Sequence, residues 1–339
     1  MFREPGYGET VEHRPSLDPS VAQTRSAVRQ ALAEIRPGAV VVALSGGADS
    51  LALAAATAFE APKRGMTLIS ATIDHGLQAG SAEVAETAAR QAEELGFDAR
   101  IERVEVDTDG GPEAAARTAR YAALARVARE VDAAAVLVAH TLDDQAETVL
   151  LGLARGSGAG SLQGMAAAST LQGVPLLRPL LALRRETTRA ACAAQGLEPW
   201  DDPQNADSSF MRVRVRERVL PVFEAELGPG IAEALARTAE QAREDAEAFA
   251  AMVDETIEDI VEHAEAGISV SVPALAANPA ALRHRIIRHV VASEFGQSLT
   301  RAQTLEVARL VTDWAGQGPL DLPGCTARRV GTRIVFTAR

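Results

Sequence analysis

Three short clusters in this chain bring together residue types that folding alone does not require. The first is Ser45-Gly46-Gly47-Ala48-Asp49-Ser50, directly after the apolar run 40–44. The second is Asp74-His75-Gly76, at the end of the Ile- and Thr-rich run 67–73. The third is His140-Thr141-Leu142-Asp143-Asp144-Gln145-Ala146-Glu147-Thr148, which follows the wholly apolar run 134–139.

The first cluster reads as a phosphate seat. Adjacent glycines let the backbone approach an anion closely, and the free N–H groups at a following helix start point at it. Ser45 and Ser50 add hydroxyl donors. Asp49 repels phosphate unless a Mg2+ ion lies between them, which makes Asp49 the candidate metal ligand. Neither of the two commoner phosphate loops fits. A mononucleotide loop ends in Gly-Lys-Ser/Thr, and this turn has no lysine. A dinucleotide loop needs a third glycine, and Ser50-Leu51 offers none.

In the third cluster the acids share a helix face, with Asp144 and Glu147 three apart and Asp143 and Glu147 four apart. Helix capping accounts for one or two acids at a helix start, but not for three behind a histidine. The spacing calls for a cation among them, either Mg2+ or a substrate ammonium. A weaker grouping, Glu113, Arg117, Arg120 and Tyr121, marks another helix start, with Glu113 and Arg117 spaced as an ion pair. The glycine-rich stretch 155–165 reads either as a flap over a site or as a linker. Arg178, Arg184, Arg185, Arg212, Arg214, Arg216 and Arg218 are candidate phosphate contacts. The alternate spacing of the last four fans them around a helix but aligns them on one face of a strand.

Hydrophobic periodicity supplies the elements that position these clusters. Strands over 39–44, 67–73, 99–106 and 134–139 alternate with helices over 21–35, 50–59, 82–95, 113–130 and 143–155. That alternation predicts an α/β fold, a Rossmann-like parallel sheet with helices on both faces. Ligands in such sheets bind at the carboxyl ends of the strands, where the turns after Leu44, Ile73 and Ala139 all lie. Beyond residue 180 the strand signal fades into helices over 184–195 and 210–227 around the polar loop 200–209. Gly228-Pro229-Gly230 marks a boundary. After it come a long acidic helix over 231–266, helices over 272–295 and 301–315, and a short strand pair over 326–337. The expected organisation is a flexible N-terminal arm over 1–20, an α/β domain over 21–227 and a smaller, mainly helical domain over 228–339.

Composition narrows the function classes. A chain of 339 residues suits two domains, and 47% hydrophobic with 24% charged residues is ordinary for a soluble globular protein. No apolar run approaches the ~20 residues of a membrane helix, and the first 20 residues carry no apolar signal segment, so cytoplasmic residence is expected. Cys192 and Cys325 are too few and too far apart for a zinc site, a cluster or a disulfide framework. A net charge of −12 counts against a simple nucleic-acid binder. The charge is uneven, however: 226–266 holds 12 acids and 2 arginines, whereas 283–339 holds 9 arginines and 4 acids. A polyanionic partner responds to that local field more than to the total.

Ser-Gly-Gly-x-Asp-Ser is similar to the pyrophosphate loop of the N-type ATP pyrophosphatases. Read in order, the words SGGADS (45–50), IDHGL (73–77), EAAARTARY (113–121), AHTLDDQAETVLLGLARGSGAGSLQGM (139–165), RPLL (178–181) and DDPQNADSSFMRVRVRERVLP (201–221) resemble one branch of that superfamily, the tRNA(Ile)-lysidine synthases. The resemblance implies ATP at Ser45, Gly46, Gly47, Ala48, Asp49, Ser50 and Asp74, with Mg2+ on Asp49. It implies L-lysine held by Arg117, Asp144 and Glu147, and catalytic roles for Asp49, His140 and Asp144. The implied partner is the isoleucine tRNA with a CAU anticodon, whose wobble cytidine is adenylated and then joined to lysine. Arg178, Arg185, Arg212, Arg214 and Arg216 are the expected tRNA contacts, and Trp200 or Phe210 the few aromatics placed to stack on a flipped base. The second domain matches only in size and helical character. It carries the expectation of a tRNA-contacting role without the further module of longer members; a homodimer is compatible.

Three rivals are weaker on the residues. A tRNA thiolase needs paired cysteines, which are absent here. The second is an amide-forming ligase such as GMP or NAD synthase, and a GMP synthase brings an amidotransferase cysteine that is also missing. A protein that only senses ATP has no use for the acids at 143–147.

Overall fold

The computed structural model describes residues 17–76, 80–104, 112–156, 158–264 and 267–339. The arm before residue 17, Leu77, Ser157 and the side chain of Glu113 lie outside the described residues. Two compact units divide after Glu240, beyond the Gly228-Pro229-Gly230 turn, within the helix Ile231–Ile260.

The first unit is built on one sheet: β1 (Ala39–Ala43), β2 (Thr67–Asp74), β3 (Asp98–Arg103), β4 (Ala133–Leu137), β5 (Ala168–Leu171) and β6 (Val174–Leu177). The strand order is β3-β2-β1-β4-β6-β5, parallel except for the β5–β6 hairpin at the edge. The helices are α1 (Pro19–Ala31), α2 (Ala48–Glu60), α3 (Ser81–Glu94), α4 (Pro112–Glu130), α5 (Leu142–Arg155) and α6 (Arg185–Ala194). β1 shows why its run is wholly apolar. Val40 and Val42 pack with Val28 of α1, Leu51 and Leu53 of α2 and Ala191 of α6. Ala39 and Val41 pack on the other face with Leu124, Val127 and Ala128 of α4. A strand covered on both faces cannot alternate with polar residues. The order reverses between β1 and β4, so the sheet opens a crevice at their carboxyl ends. The turn at 45–50 follows β1, and His140 follows β4.

The first unit departs from the sequence expectation at its sheet edge and in its last helix. The β5–β6 hairpin extends the sheet where no strand is predicted. Its two-residue turn, Gln172-Gly173, has φ of 47° and 91°, the doubly positive geometry that matches strand twist. The predicted helix 210–227 is interrupted. α7 (Met211–Arg214) and α8 (Leu220–Leu227) flank a π-helical turn over Val215–Val219. Pro221 cannot donate a hydrogen bond and its ring crowds the carbonyl four residues back, and the wider turn relieves that clash.

The glycine-rich stretch is strapped down. The Gln145 side chain donates to Met165 O at 2.9 Å and accepts from Met165 N at 2.6 Å. Ser161 Oγ donates to Gly152 O at 3.2 Å, and a Cβ at Gly152 would lie 2.1 Å from the Ser161 carbonyl oxygen. Neither a free flap nor a plain linker describes 158–165.

In the second unit, after the long helix α9 (Ile231–Ile260), come β7 (Val261–Ala264), β8 (Gly267–Ser271), α10 (Val272–Ala277), α11 (Ala280–Phe295), α12 (Arg301–Thr312), β9 (Leu320–Leu322), β10 (Cys325–Val330) and β11 (Arg333–Ala338). The strands form an antiparallel sheet, β7-β8-β11-β10-β9. Ile268, Val270, Ile334 and Phe336 of the sheet pack on Ile286, Val290 and Leu310 of α11 and α12. The unit holds more helix than strand, as expected, but its helices pack on a five-stranded antiparallel sheet where only a short strand pair over 326–337 is predicted. The single helix expected over 272–295 breaks at Asn278-Pro279, since the residue before proline avoids the helical region. No described helix is long and apolar enough to cross a membrane.

Gly152→Ala is expected to destabilise the protein by about 1–3 kcal/mol, the usual cost of overpacking. Gly160→Ala, in the same stretch but without a positive φ and with its added methyl only in ordinary contact with Gln163 at 3.8 Å, is expected to change stability by no more than about 1 kcal/mol. Thermal melts of the two variants rank the effects. Equal melting temperatures would mean that the loop is not held on α5.

Candidate active site

Local structure leaves the turn after β1 open to a ligand. Gly46 takes φ of +80°, which other residues adopt only with strain. Gly47 caps α2 without a side chain, so the first N–H groups of the helix keep no side-chain partner. Ser50 Oγ accepts from Ser45 N at 3.2 Å and donates to Gly47 O at 2.9 Å, which closes the turn on itself. Trp200 N donates to Gly46 O at 3.0 Å and pins the turn from outside.

The turn opens on a cavity of about 1000 Å3. Asp74 and His75 from the end of β2, Arg120 and Tyr121 from α4, and His140, Asp143 and Asp144 after β4 line the same space. Arg185, Trp200 and Arg216 complete the wall. Asp74 Oδ1 accepts from Gly76 N at 2.9 Å and Oδ2 pairs with Arg103 at 3.3 Å. Hydrogen bonds, chiefly from Ser81, hold its carboxyl below the usual range.

Asp49 is half-enclosed. The Thr188 hydroxyl donates to Oδ1, and Arg185 Nε lies 3.4 Å from Oδ2. Burial nonetheless pushes the Asp49 carboxyl up from its ordinary value, and the neighbouring Thr188 and Arg185 only partly offset it. The carboxylate has room for more positive charge.

The acids of α5 already have cations. Asp144 closes a capping box with Thr141, accepting from Thr141 N at 2.8 Å, and pairs with Arg185 Nη2 at 3.0 Å. Burial opposes its charge, but Arg185 and Arg212 prevail and hold the carboxyl below its usual value. Asp143 accepts from the Arg185 backbone N at 2.7 Å and lies 3.2 Å from Arg184. Glu147 is fully buried under Arg212 Nε and Arg216 Nε, each at 2.7 Å, with Arg185 Nη1 at 3.6 Å. The cation that the acid spacing calls for is thus supplied by the protein's own arginines. Like charges at helical spacing are stable here because residues far along the chain bring guanidiniums to them.

Several expected positions change accordingly. Glu147, expected at the lysine, does not line the large cavity and is enclosed by guanidiniums. Arg117 is exposed, 5.0 Å from the Tyr121 ring, while Arg120 lines the cavity in its place. Arg178, expected on tRNA, is buried and donates to Ala166 O at 2.8 Å and Ser169 Oγ at 3.0 Å. Arg214 donates to the carbonyls of Ser208 and Ser209 at 2.8 and 2.6 Å. Arg185, Arg212 and Arg216, also expected on tRNA, serve the acids. Ala48 accepts from Cys192 Sγ at 3.3 Å, and burial pushes that thiol up to about 11, which disqualifies it as a nucleophile at neutral pH.

The profile described as PP-loop domain matches residues 21–223, and the one described as TilS substrate binding domain matches residues 271–335. The tRNA(Ile)-lysidine synthase of Leifsonia xyli subsp. xyli is 58% identical over 305 residues, 89% of this chain and 91% of that protein. This chain belongs to the tRNA(Ile)-lysidine synthase family. The lysidine synthase of Thermobifida fusca is 49% identical over 326 residues, 94% of this chain and 98% of that one. Among solved structures, the U34-tRNA thiolase NcsA from Methanococcus maripaludis with its [4Fe-4S] cluster aligns with a TM-score of 0.56 at 19% identity, covering 66% of this chain and 78% of that chain. That likeness is one of fold alone. The PP-loop match brings ATP as substrate.

Sequence spacing named Arg120 without placing it on the cavity, and it missed Thr188 and the bridging place of Arg185. Thr188 has no signal beyond its polarity. Arg185 adjoins RPLL, but nothing local tells a guanidinium aimed at an acid from one aimed at solvent. His140, expected in a catalytic role, is a poor base as the site stands. Burial, with Arg178, Arg120 and Arg212 nearby, holds its imidazole down to about 3.

This shift fixes a pH dependence. The unfolded chain protonates His140 near its ordinary 6.5, whereas the folded protein resists protonation until about 3. The stability contributed by this group is complete above pH 6.5 and is lost as the pH falls from 6.5 toward 3. The melting temperature of the wild type is therefore expected to fall across that window more steeply than that of His140→Gln. Parallel curves for the two proteins would contradict the buried neutral imidazole.

Proposed function

We propose that this protein cleaves ATP between the α- and β-phosphates and adenylates the C2 carbonyl oxygen of the wobble cytidine in a CAU-anticodon tRNA(Ile). The neutral ε-amine of free L-lysine then attacks that carbon, a C–N bond forms, and AMP leaves with the carbonyl oxygen. One observation carries this reading: the phosphate turn and the Asp144 carboxylate line a single cavity of about 1000 Å3 at the switch point of one sheet. A nucleotide alone needs less space than that.

The turn N–H groups, with Ser45 and Ser50, hold the polyphosphate. Asp49 suits Mg2+, because its buried carboxylate gains from added positive charge and Mg2+ takes its remaining ligands from phosphates and water. No cluster of three or more acid, His or Cys ligands competes for a metal among the described residues. The ion would offset charge on the departing pyrophosphate. Asp144, at the cavity wall, receives the lysine amine. Arg120 is placed for the lysine carboxylate, since burial holds its guanidinium below its ordinary value and no carboxylate pairs with it among the described residues. His140 stays neutral and acts as a hydrogen-bond partner of the base or amine, and a cavity carboxylate takes the proton of the attacking amine. Trp200 offers a face for the flipped base.

The second unit contributes charge to the tRNA. Burial, with Arg285 and Arg301 close by, depresses the Arg288 guanidinium, a strain that a phosphate chain relieves. The reading places the enzyme in the cytoplasm with its tRNA, away from any membrane.

The direct test is the mass of a CAU-anticodon tRNA(Ile) transcript incubated with ATP, Mg2+ and lysine. A lysine-dependent mass gain is expected, and an unchanged transcript under all conditions would refute the function. Asp144→Ala is expected to raise the KM for lysine by about ten-fold or more, the scale of a lost charge-assisted contact, with the KM for ATP little changed. An unchanged lysine KM would remove Asp144 from the lysine subsite.

A further inference from the structure

The acids of α5, together with Asp49, are already matched by arginines. Asp49, Asp143, Asp144 and Glu147 meet Arg184, Arg185, Arg212 and Arg216, charge for charge. Arg184 is shared further with Glu233 at 2.8 Å. An added ammonium would therefore face a neutral cluster whose best acceptors are already taken. Some guanidinium must yield before Asp144 can hold a cation.

Arg185 is the one with reason to move. Arg212 and Arg216 each make a close bond to a fully buried carboxylate, and removing a partner from such a charge is costly. Arg185 spreads a single guanidinium over three acids at 3.0, 3.4 and 3.6 Å, and two of these contacts are long. It also lines the cavity. One of its three partners, Asp49, belongs to the phosphate turn itself.

We infer that Arg185 is a positioning residue that couples the two substrate subsites: it occupies the acid seat of lysine at Asp144 until ATP, arriving at the turn beside Asp49, draws it away. This step rests on the functional reading above. A polyphosphate concentrates negative charge next to the guanidinium, which gains more from bidentate phosphate contact than from a shared carboxylate. Once Arg185 turns to the phosphates, Asp144 is left with an uncompensated charge that the lysine amine can meet. Lysine then binds well only behind ATP, and no amine is drawn into the cavity before activation. Linkage makes the effect reciprocal, so lysine must tighten ATP by the same factor.

Calorimetric binding of L-lysine, with and without α,β-methylene-ATP and Mg2+, tests this directly, since that analogue cannot be cleaved at the reacting bond. In the wild type the analogue is expected to tighten lysine by roughly ten-fold, within the usual range of coupling between sites. In Arg185→Ala, lysine is expected to bind without the analogue as tightly as the wild type does with it, so that the ratio falls to about one. A structural defect alone would weaken lysine binding in both states. Arg185→Lys keeps the charge without the fork and is expected to give an intermediate ratio; if the alanine variant does not fold, this variant decides. A wild-type ratio near one, or variant ratios equal to the wild-type value, would overturn the coupling while leaving the lysine site intact. Absence of lysine binding in every state would overturn the site and the coupling together.

Discussion

A fully buried carboxylate, Glu147, organises the functional half of this molecule. Leaving such a charge unpaired costs about 3–5 kcal/mol, so the fold must bring cations to it. Arg212 and Arg216 arrive from the helix after the polar loop, and Arg185 from the start of α6. The segment carrying Arg212 and Arg216 is thereby fastened against α5, and the same arginines reach Asp144. Hydrophobic contact supports the junction through Leu142, Ala146 and Leu150 packing on Val215 and Leu220. The π-helical turn before Pro221 lies between Arg212 and Leu220, so the irregularity sits where the helix must satisfy both the ion pairs and the apolar contact.

That junction sets the electrostatics of the cavity. Burial, helped by positive charge from Arg178, Arg120 and Arg212, keeps His140 neutral, and Arg185 and Arg212 keep Asp144 ionised against its burial. Asp49 differs, since burial outweighs its cationic neighbours. Two carboxylates in one space are thus biased in opposite directions, Asp144 toward holding a charge and Asp49 toward gaining a cation. This division suits a site that must place a polyphosphate and an amine side by side.

Much of the frame is legible from local pattern. The strands β1, β2 and β4, the helices between them and the glycine turn follow from apolar runs and punctuation, because burial on both faces leaves a strand no alternative composition. The site is less legible because its contacts are remote in sequence. Glu147 and Arg216 are 69 residues apart, and Asp49 and Thr188 are 139. Spacing showed that Asp143, Asp144 and Glu147 needed a cation but not that Arg185, Arg212 and Arg216 supply it. The β5–β6 hairpin escaped because its exposed strand, Ala168–Leu171, lacks an apolar run; only Gln172-Gly173 hinted at the turn. In the second unit the pair β10–β11 is legible from its alternation around Gly331, whereas the three-residue β9 and four-residue β7 are too short to show a period.

In the proposed reaction the cavity activates the tRNA base and not the amino acid. ATP labelled at its α-phosphate, incubated with enzyme, Mg2+ and the CAU-anticodon tRNA but no lysine, separates the two possibilities. Label is expected on the tRNA, matched by released pyrophosphate and discharged as AMP when lysine is added. Label transferred to lysine in the absence of tRNA, with none ever found on the tRNA, would contradict it.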